Sequence, residues 1–188
     1  MTLQLSTARL AIRPFNDDDL HAFMHLNHEA FDAPLDENAT REWLTWTQLN
    51  YRQLARLYQP PYGDYAVTLA DTGELIGSVG LVQTVVPWHV LDAFRPANAP
   101  VDAKVSPEFG LFWMTRTAHR GHGYASEAAS ALMHFILTTL HARRVVATTE
   151  HENLASQAVM RRLGMTLYSN PTPDPFWFQV VGVQTVEF

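Results

Sequence analysis

The sequence predicts an α/β domain, and three observations carry that prediction. A strand-like run, Glu108 to Met114 (EFGLFWM), leads through a glycine-containing turn into a long amphipathic stripe of helical period. Two further strand-like segments, Tyr65 to Ala70 and Leu75 to Val82, flank Asp71-Thr72-Gly73, a hairpin signal. Between them and the chain ends lie stretches of helical spacing, so strands and helices interleave. At 188 residues, 47% hydrophobic and 17% charged, one domain over 1–188 is expected, large enough to bury a core.

The elements follow in order. Leu10 and Ile12 alternate with Arg9 and Arg13, giving a first strand. Asn16 then starts a helix whose first turn is acidic (Asp17, Asp18, Asp19), as the positive end of a helix dipole favours. Leu20, Phe23, Met24 and Phe31 continue it. A second helix is expected from about Ala39 to Tyr58, burying Trp43, Trp46, Leu54 and Leu57, and stopped by Pro60 and Pro61. Residues 83–106 carry Pro87, Pro96 and Pro100 with Trp88 and Phe94 but no clear period, and are expected to form an ordered lid. Ala125, Ala128, Leu132, Phe135, Ile136 and Leu140 make the stripe of a third helix. Arg144 to Thr149 reads as a strand, Leu154 to Leu163 as a helix capped by Gly164, and two strands follow near Met165–Ser169 and Phe176–Phe188.

Composition removes several classes of function. The formal net charge of −6 provides no basic footprint for nucleic acid. There is no cysteine, hence no disulfide framework, thiol nucleophile or thiolate metal site. The nine histidines include no His-Glu-x-x-His, and His119 and His122 have no accompanying carboxylate cluster, so no metal is expected. No apolar run approaches the roughly 20 residues of a membrane span, and the first residues lack the layout of a signal peptide. The expected location is cytoplasmic.

Residues 116–128, RTAHRGHGYASEA, carry the chemistry. Gly121 and Gly123 flank His122 where strand gives way to helix. A helix start has unpaired N–H groups and partial positive charge. Glycines there let a phosphate approach the backbone closely. The alternative is an ordinary glycine-containing loop. No Lys-Ser or Lys-Thr follows, so this is not a P-loop, and Ser126 stands where a dinucleotide fingerprint needs its third glycine.

Arg120-Gly121-His122-Gly123-Tyr124-Ala125 resembles the Arg/Gln-x-x-Gly-x-Gly/Ala signature of the GCN5-related N-acetyltransferases (GNAT). Asn153-Leu154-Ala155-Ser156, followed by Leu163-Gly164-Met165, is similar to a second block of that family, with Met165 in place of Phe. Thr7 to Phe15 and Asp71 to Gly77 resemble its opening strand and second hairpin. The resemblance covers nearly the whole chain outside 83–106 and is closest to the RimJ/RimL-like branch, the ribosomal-protein N-terminal acetyltransferases. It implies a mixed, mostly antiparallel central sheet of about seven strands, splayed at the cofactor site, with helices on both faces. It also implies acetyl-CoA as cosubstrate and an amine acceptor, either a small molecule or a protein N-terminus. A homodimer is left open.

Acetyl transfer from a thioester to an amine needs a neutral amine, a polarised carbonyl and a proton for the departing thiolate. An alkyl ammonium, with a pKa near ~10, must first lose a proton, and a carboxylate can take it. Glu108, at the start of the strand feeding the turn, is the candidate; the alternative is an exposed strand-end glutamate. Glu127 more simply serves the helix dipole. The resemblance implies that backbone around Phe112, Trp113 and Met114 meets the pantetheine arm and polarises the carbonyl. It places the pyrophosphate on Arg120, Gly121, His122, Gly123, Tyr124 and Ala125, the pantetheine amides on Asn153, and a 3′-phosphate near Arg162. Asn153 is equally a helix N-cap. The family's usual proton donor is a tyrosine seven residues after the asparagine, where this chain has Met160, which has no proton to give. Ser156 is then the substitute, with Tyr168 as a second choice. Direct attack is expected rather than a covalent intermediate. The rival reading is a non-catalytic acyl-CoA-binding or sensor module.

Overall fold

The structure is a computed structural model, which describes residues 3–94 and 105–186. It has eight strands: β1 (Leu5–Ser6), β2 (Leu10–Arg13), β3 (Gly63–Leu69), β4 (Leu75–Val86), β5 (Ser106–Thr115), β6 (Arg144–Thr149), β7 (Thr166–Ser169) and β8 (Val180–Thr185). The helices are α1 (Leu20–Phe31), α2 (Glu37–Arg56), α3 (Tyr124–Thr138) and α4 (Leu154–Arg162). The strands follow the order β1-β2-β3-β4-β5-β6-β8-β7. Every strand pair whose register is described is antiparallel except β5 with β6. This is the mixed, mostly antiparallel sheet expected, with β1 as one strand more than the seven anticipated. The chain clusters into two compact units, Met1–Val82 with Phe112–Phe135 and Gln83–Leu111 with Ile136–Phe188, so that β4, β5 and α3 each run through both.

In the first unit, helix entry follows the sequence closely. Asn16 Oδ1 accepts from the Asp18 amide, and Asp19 Oδ2 accepts from the Asn16 amide in a capping box. Arg13 then holds Asp19 through two hydrogen bonds of 2.7 and 2.8 Å. α1 and α2 close over one face of the sheet around Phe15, Leu20, Phe23, Leu26, Leu44, Ala66, Leu75 and Met114. Each Phe, Leu or Met side chain among them contributes about 1.5–3 kcal/mol by leaving water. Phe23 stacks on Trp43 at 3.9 Å, and Phe15 meets both edge-on. Ala66 faces these helices, whereas its neighbour Val67 lines a small recess with Tyr124, Ala125 and Ala128 of α3. Successive strand residues point to opposite faces, so α3 covers the other side.

The phase of α2 differs from expectation. Thr40, Leu44 and Thr47 are its buried residues, Trp43 is half-buried, and Trp46 and Leu57 are 60% and 64% exposed. Trp46 lies about 200° around the helix from Leu44, so the inward turn of Trp43 and Leu44 puts it outside.

In the second unit β8 pairs with both β6 and β7. α4 packs on β8 through Gly182, where a Cβ would come within 3.0 Å of Met160 Sδ and 3.1 Å of Met165 Sδ. Met160 is fully buried, a core residue. Val181 and Val183 turn the other way, into a cluster with Val86, Trp88, Leu91, Val146 and Phe178. Part of the expected lid therefore packs as core: β4 continues to Val86, Trp88 is buried, and Phe94, partly buried, meets Tyr168 edge-on at 4.8 Å. Its remaining part, 95–104, lies outside the described residues. Trp88 and Phe94 thus pack with the second unit's own core.

Candidate active site

The turn after β5 has the geometry of an anion cradle. Gly121 and Gly123 have φ of 80° and 81°, in the left-handed region where a side chain is strained. A Cβ on Gly121 would meet nothing within 4 Å, and one on Gly123 only Arg9 Nη2 at 3.6 Å. The space over the turn is thus open. Among the described residues, no amide from Gly121 to Ser126 donates a hydrogen bond; the first to do so is Glu127, to the Gly123 carbonyl at 3.0 Å. These N–H groups lie at the positive end of a 15-residue helix and offer successive donors to a diphosphate.

Two charge clusters hold the turn in place. Glu127 accepts from Thr7 Oγ1 at 2.5 Å, from the Arg9 amide at 3.1 Å and from Arg9 Nε at 2.7 Å. Partial burial pushes its carboxyl upward, and the bonds from Thr7 and Arg9 outweigh that and hold it below the usual carboxylate range. Arg9 also donates to the His122 carbonyl at 3.1 Å and lies 4.5 Å over the Tyr124 ring. On the other side Glu29 accepts from the Thr117 amide at 2.6 Å and from Arg116 at 2.9 and 3.0 Å. The Thr117 amide, assisted by the Arg116 guanidinium, holds its carboxyl low. Arg120, expected to face phosphate, folds back onto the carbonyls of Thr115 and Glu29, each at 3.2 Å. Its charge braces the loop against α1.

Along β5, Phe112 stacks on Phe31 at 6.2 Å, Trp113 is half-buried and the Met114 side chain belongs to the core. A Cβ on Gly77 would come within 2.5 Å of the Met114 carbonyl, so glycine lets β5 lie close to β4 here. The parallel ladder between β5 and β6 holds two registered pairs, Phe109–Val145 and Gly110–Val146, and β6 continues beyond it to Thr149.

In the second unit Glu108 is not an exposed strand end. Its side chain is 8% exposed and pairs with Arg144 through bonds of 2.5 and 3.0 Å. Ser106 Oγ donates to it at 2.7 Å and Trp88 Nε1 at 3.1 Å. Burial pushes this carboxyl upward, but Arg144, Ser106 and Trp88 together hold it below its ordinary range. A carboxylate so well supplied with donors is a weak proton acceptor. On α4, Asn153 Oδ1 caps the helix by accepting from the Ser156 amide at 3.0 Å. Ser156 Oγ is half-buried with no hydrogen-bond partner among the described residues, and Arg162 is exposed.

Residues 9–166 match the family model of the acetyltransferase (GNAT) domain. The chain belongs to the GNAT acetyltransferase family. It is 36% identical over 57 residues to the uncharacterized N-acetyltransferase YnaD of Bacillus subtilis (strain 168), covering 30% of this chain and 34% of that relative, about a third of its length. Among solved structures, the acetyltransferase from Agrobacterium tumefaciens str. C58 superposes with a TM-score of 0.67 at 25% identity, covering 99% of this chain and 96% of that one. RimL, a ribosomal L7/L12 α-N-protein acetyltransferase in complex with coenzyme A, superposes with a TM-score of 0.66 at 16% identity over 98% of each chain.

GNAT enzymes use acetyl-CoA, and the cradle fits its pyrophosphate: open space, left-handed glycines and free amides coincide on one turn. Glu127 is legible as a structural residue of the helix start, but the bracing pairs are not. Arg9 and Glu127 are 118 positions apart, and Glu29 and Arg116 are 87 apart, so no local pattern announces either pair. Among the described residues no group of three or more His, Asp or Glu could hold a metal, and no helix is long and apolar enough to cross a membrane.

Proposed function

We propose that the protein is an acetyl-CoA-dependent N-acetyltransferase that passes the acetyl group to a primary amine by direct attack. The observation that carries this reading is the run of unpartnered amides from Gly121 to Ser126 at the start of α3. Bound acetyl-CoA supplies the activated thioester; the amides of Gly121 to Ala125 hold its pyrophosphate and orient it. Backbone at Phe112 to Met114 takes the pantetheine arm and polarises the thioester carbonyl, and Asn153 adds a hydrogen bond to the arm. Arg162, exposed on α4, pairs with the 3′-phosphate. The free hydroxyl of Ser156 hydrogen-bonds the departing thiolate and relays a proton to it. The acceptor is a small amine or a protein N-terminus; the RimL neighbour, a ribosomal-protein acetyltransferase of the same fold, supports the second. Catalysis takes place in the cytoplasm.

Titration calorimetry with acetyl-CoA, repeated with dephospho-CoA and ATP, tests the reading. Micromolar binding of acetyl-CoA, weakened without the 3′-phosphate, is expected. Gly123→Val should reduce that affinity at least about tenfold, about 1.4 kcal/mol, because a β-branched side chain is strained at this φ and crowds the ligand. Absence of acetyl-CoA binding by the wild type would refute the proposal.

A further inference from the structure

Asp64 stands apart from every other carboxylate described above. It lies near the start of β3, directly opposite Gly80 of β4 in the antiparallel register. Its residue is half-buried, and among the described residues its side chain has neither a hydrogen-bond donor nor a cation as partner. A Cβ on Gly80 would strike Asp64 Oδ1, and Phe112 Cβ and Cδ1 lie 3.3 and 3.4 Å from the same point. Glycine opposite the aspartate therefore keeps open a space that the carboxylate and the Phe112 side chain both border. Phe112 in turn stacks on Phe31, which is 59% exposed, so two rings lead from the surface to the carboxylate.

The surroundings leave the charge unsupported. From α2 the Tyr51 hydroxyl donates to the Asp64 main-chain carbonyl, not to the carboxylate. Tyr65, next on β3, sends its hydroxyl to the Pro61 carbonyl at 2.8 Å. Burial raises both phenols, which stay protonated and neutral. The nearby Arg13–Asp19 pair is closed on itself. Burial accordingly pushes the Asp64 carboxyl up to about 6. A carboxylate ionised at neutral pH, beside an aromatic ring and without a cation of its own, is a receptor for one.

We propose that Asp64 is the catalytic carboxylate of the acceptor site, binding the acceptor's ammonium against Phe112 and taking its proton. The acceptor class is a primary ammonium next to an apolar or aromatic group that packs along Phe112 and Phe31. This rests on the acetyltransferase reading. One ammonium proton passes to Asp64; the freed lone pair forms the N–C bond as the C–S bond breaks. The second amine proton goes to the thiolate sulfur, and Asp64 releases its proton to water.

The test uses the wild type, Asp64→Asn and Gly80→Ala, each saturated with coenzyme A and titrated with 2-phenylethylamine, Phe-Gly-Gly or 2-phenylethanol. At least one amine should bind the wild type and bind Asp64→Asn at least 30-fold more weakly, with the alcohol indifferent to the change. Which amine binds tells a free amine from a peptide N-terminus. Acetylation of the bound amine should fall at least 100-fold in Asp64→Asn, and the rise of wild-type kcat/KM with pH near 6 should vanish. Gly80→Ala keeps the carboxylate but displaces it, and should show the same loss with a normal melting curve. The proposal is overturned if neither amine binds the wild type better than the alcohol, or if Asp64→Asn binds and turns over like the wild type. If acetyl-CoA itself fails to bind, the acetyltransferase reading falls and this one with it.

Discussion

Two carboxylates on two strands have been given opposite environments. Glu108 on β5 receives Arg144, Ser106 and Trp88 at once, and its carboxyl is held low. Asp64 on β3 receives none of these, and its carboxyl is pushed up to about 6. Burial pushes both carboxyls upward, so desolvation alone does not separate them; the supply of donors does. The difference teaches which carboxylate has a structural task and which has spare capacity for chemistry. A buried charge whose partners are all built in is an anchor, and one left without a partner costs stability until something binds it.

Removing the anchor's cation should have the largest effect on folding. Arg144→Ala strips Glu108 of both bonds from the guanidinium and also removes the cation lying 4.4 Å over the Trp88 ring. A loss of about 3 kcal/mol is expected in denaturant unfolding at pH 7. A loss below about 1 kcal/mol would break the comparison. The opposite sign is expected at the other carboxylate. The folded pKa of Asp64 stands above its unfolded value, so its protonated form is favoured by folding, and stability is lost as pH rises toward and through about 6. Asp64→Asn escapes this loss. At pH 8 it should be more stable than the wild type by about 2 kcal/mol, and the gain should fade below about pH 4. A variant that is better folded and less active is the signature of a group kept for function.

Much of this architecture was legible in the sequence, and the reasons it was not elsewhere are physical. The capping box at Asn16, the hairpin around Gly73 and the glycine turn before α3 are encoded within a few residues, because caps and turns depend on local backbone geometry. The inward side of α2 was misjudged because size and apolarity suggested Trp46, whereas packing chose Thr40, Leu44 and Thr47. Residues 83–106 lack a clear period and are expected to form a lid, yet Trp88 and Phe94 join a core that also holds Val146, Phe178, Val181 and Val183, far along the chain. In the site, the cradle could be read from one segment. The contrast between Glu108 and Asp64 could not: it depends on Arg144, 36 residues from Glu108, and on Gly80 facing Asp64 across a ladder. Sequence marks an acidic residue but not the donors that fold around it.

The smallest expected effect sharpens the comparison most. Glu108→Gln keeps the shape of the side chain and removes its charge, leaving Arg144, whose side chain is 32% exposed, able to reach water. The cost at pH 7 should be about 1–2 kcal/mol. The sign with pH follows from the lowered carboxyl: the wild-type advantage is present above the unfolded value of about 4.3 and is lost as pH falls through the lower folded value. The gap between Glu108→Gln and wild type should therefore close in acid from the destabilised side, while that of Asp64→Asn closes from the stabilised side. Turnover settles the division of labour. Per folded molecule, Glu108→Gln should keep kcat within about twofold of the wild type, because a carboxylate held low by Arg144, Ser106 and Trp88 is a weak proton acceptor. A loss of 100-fold with an intact fold would return the proton-accepting role to Glu108 and reduce Asp64 to a site of stored strain.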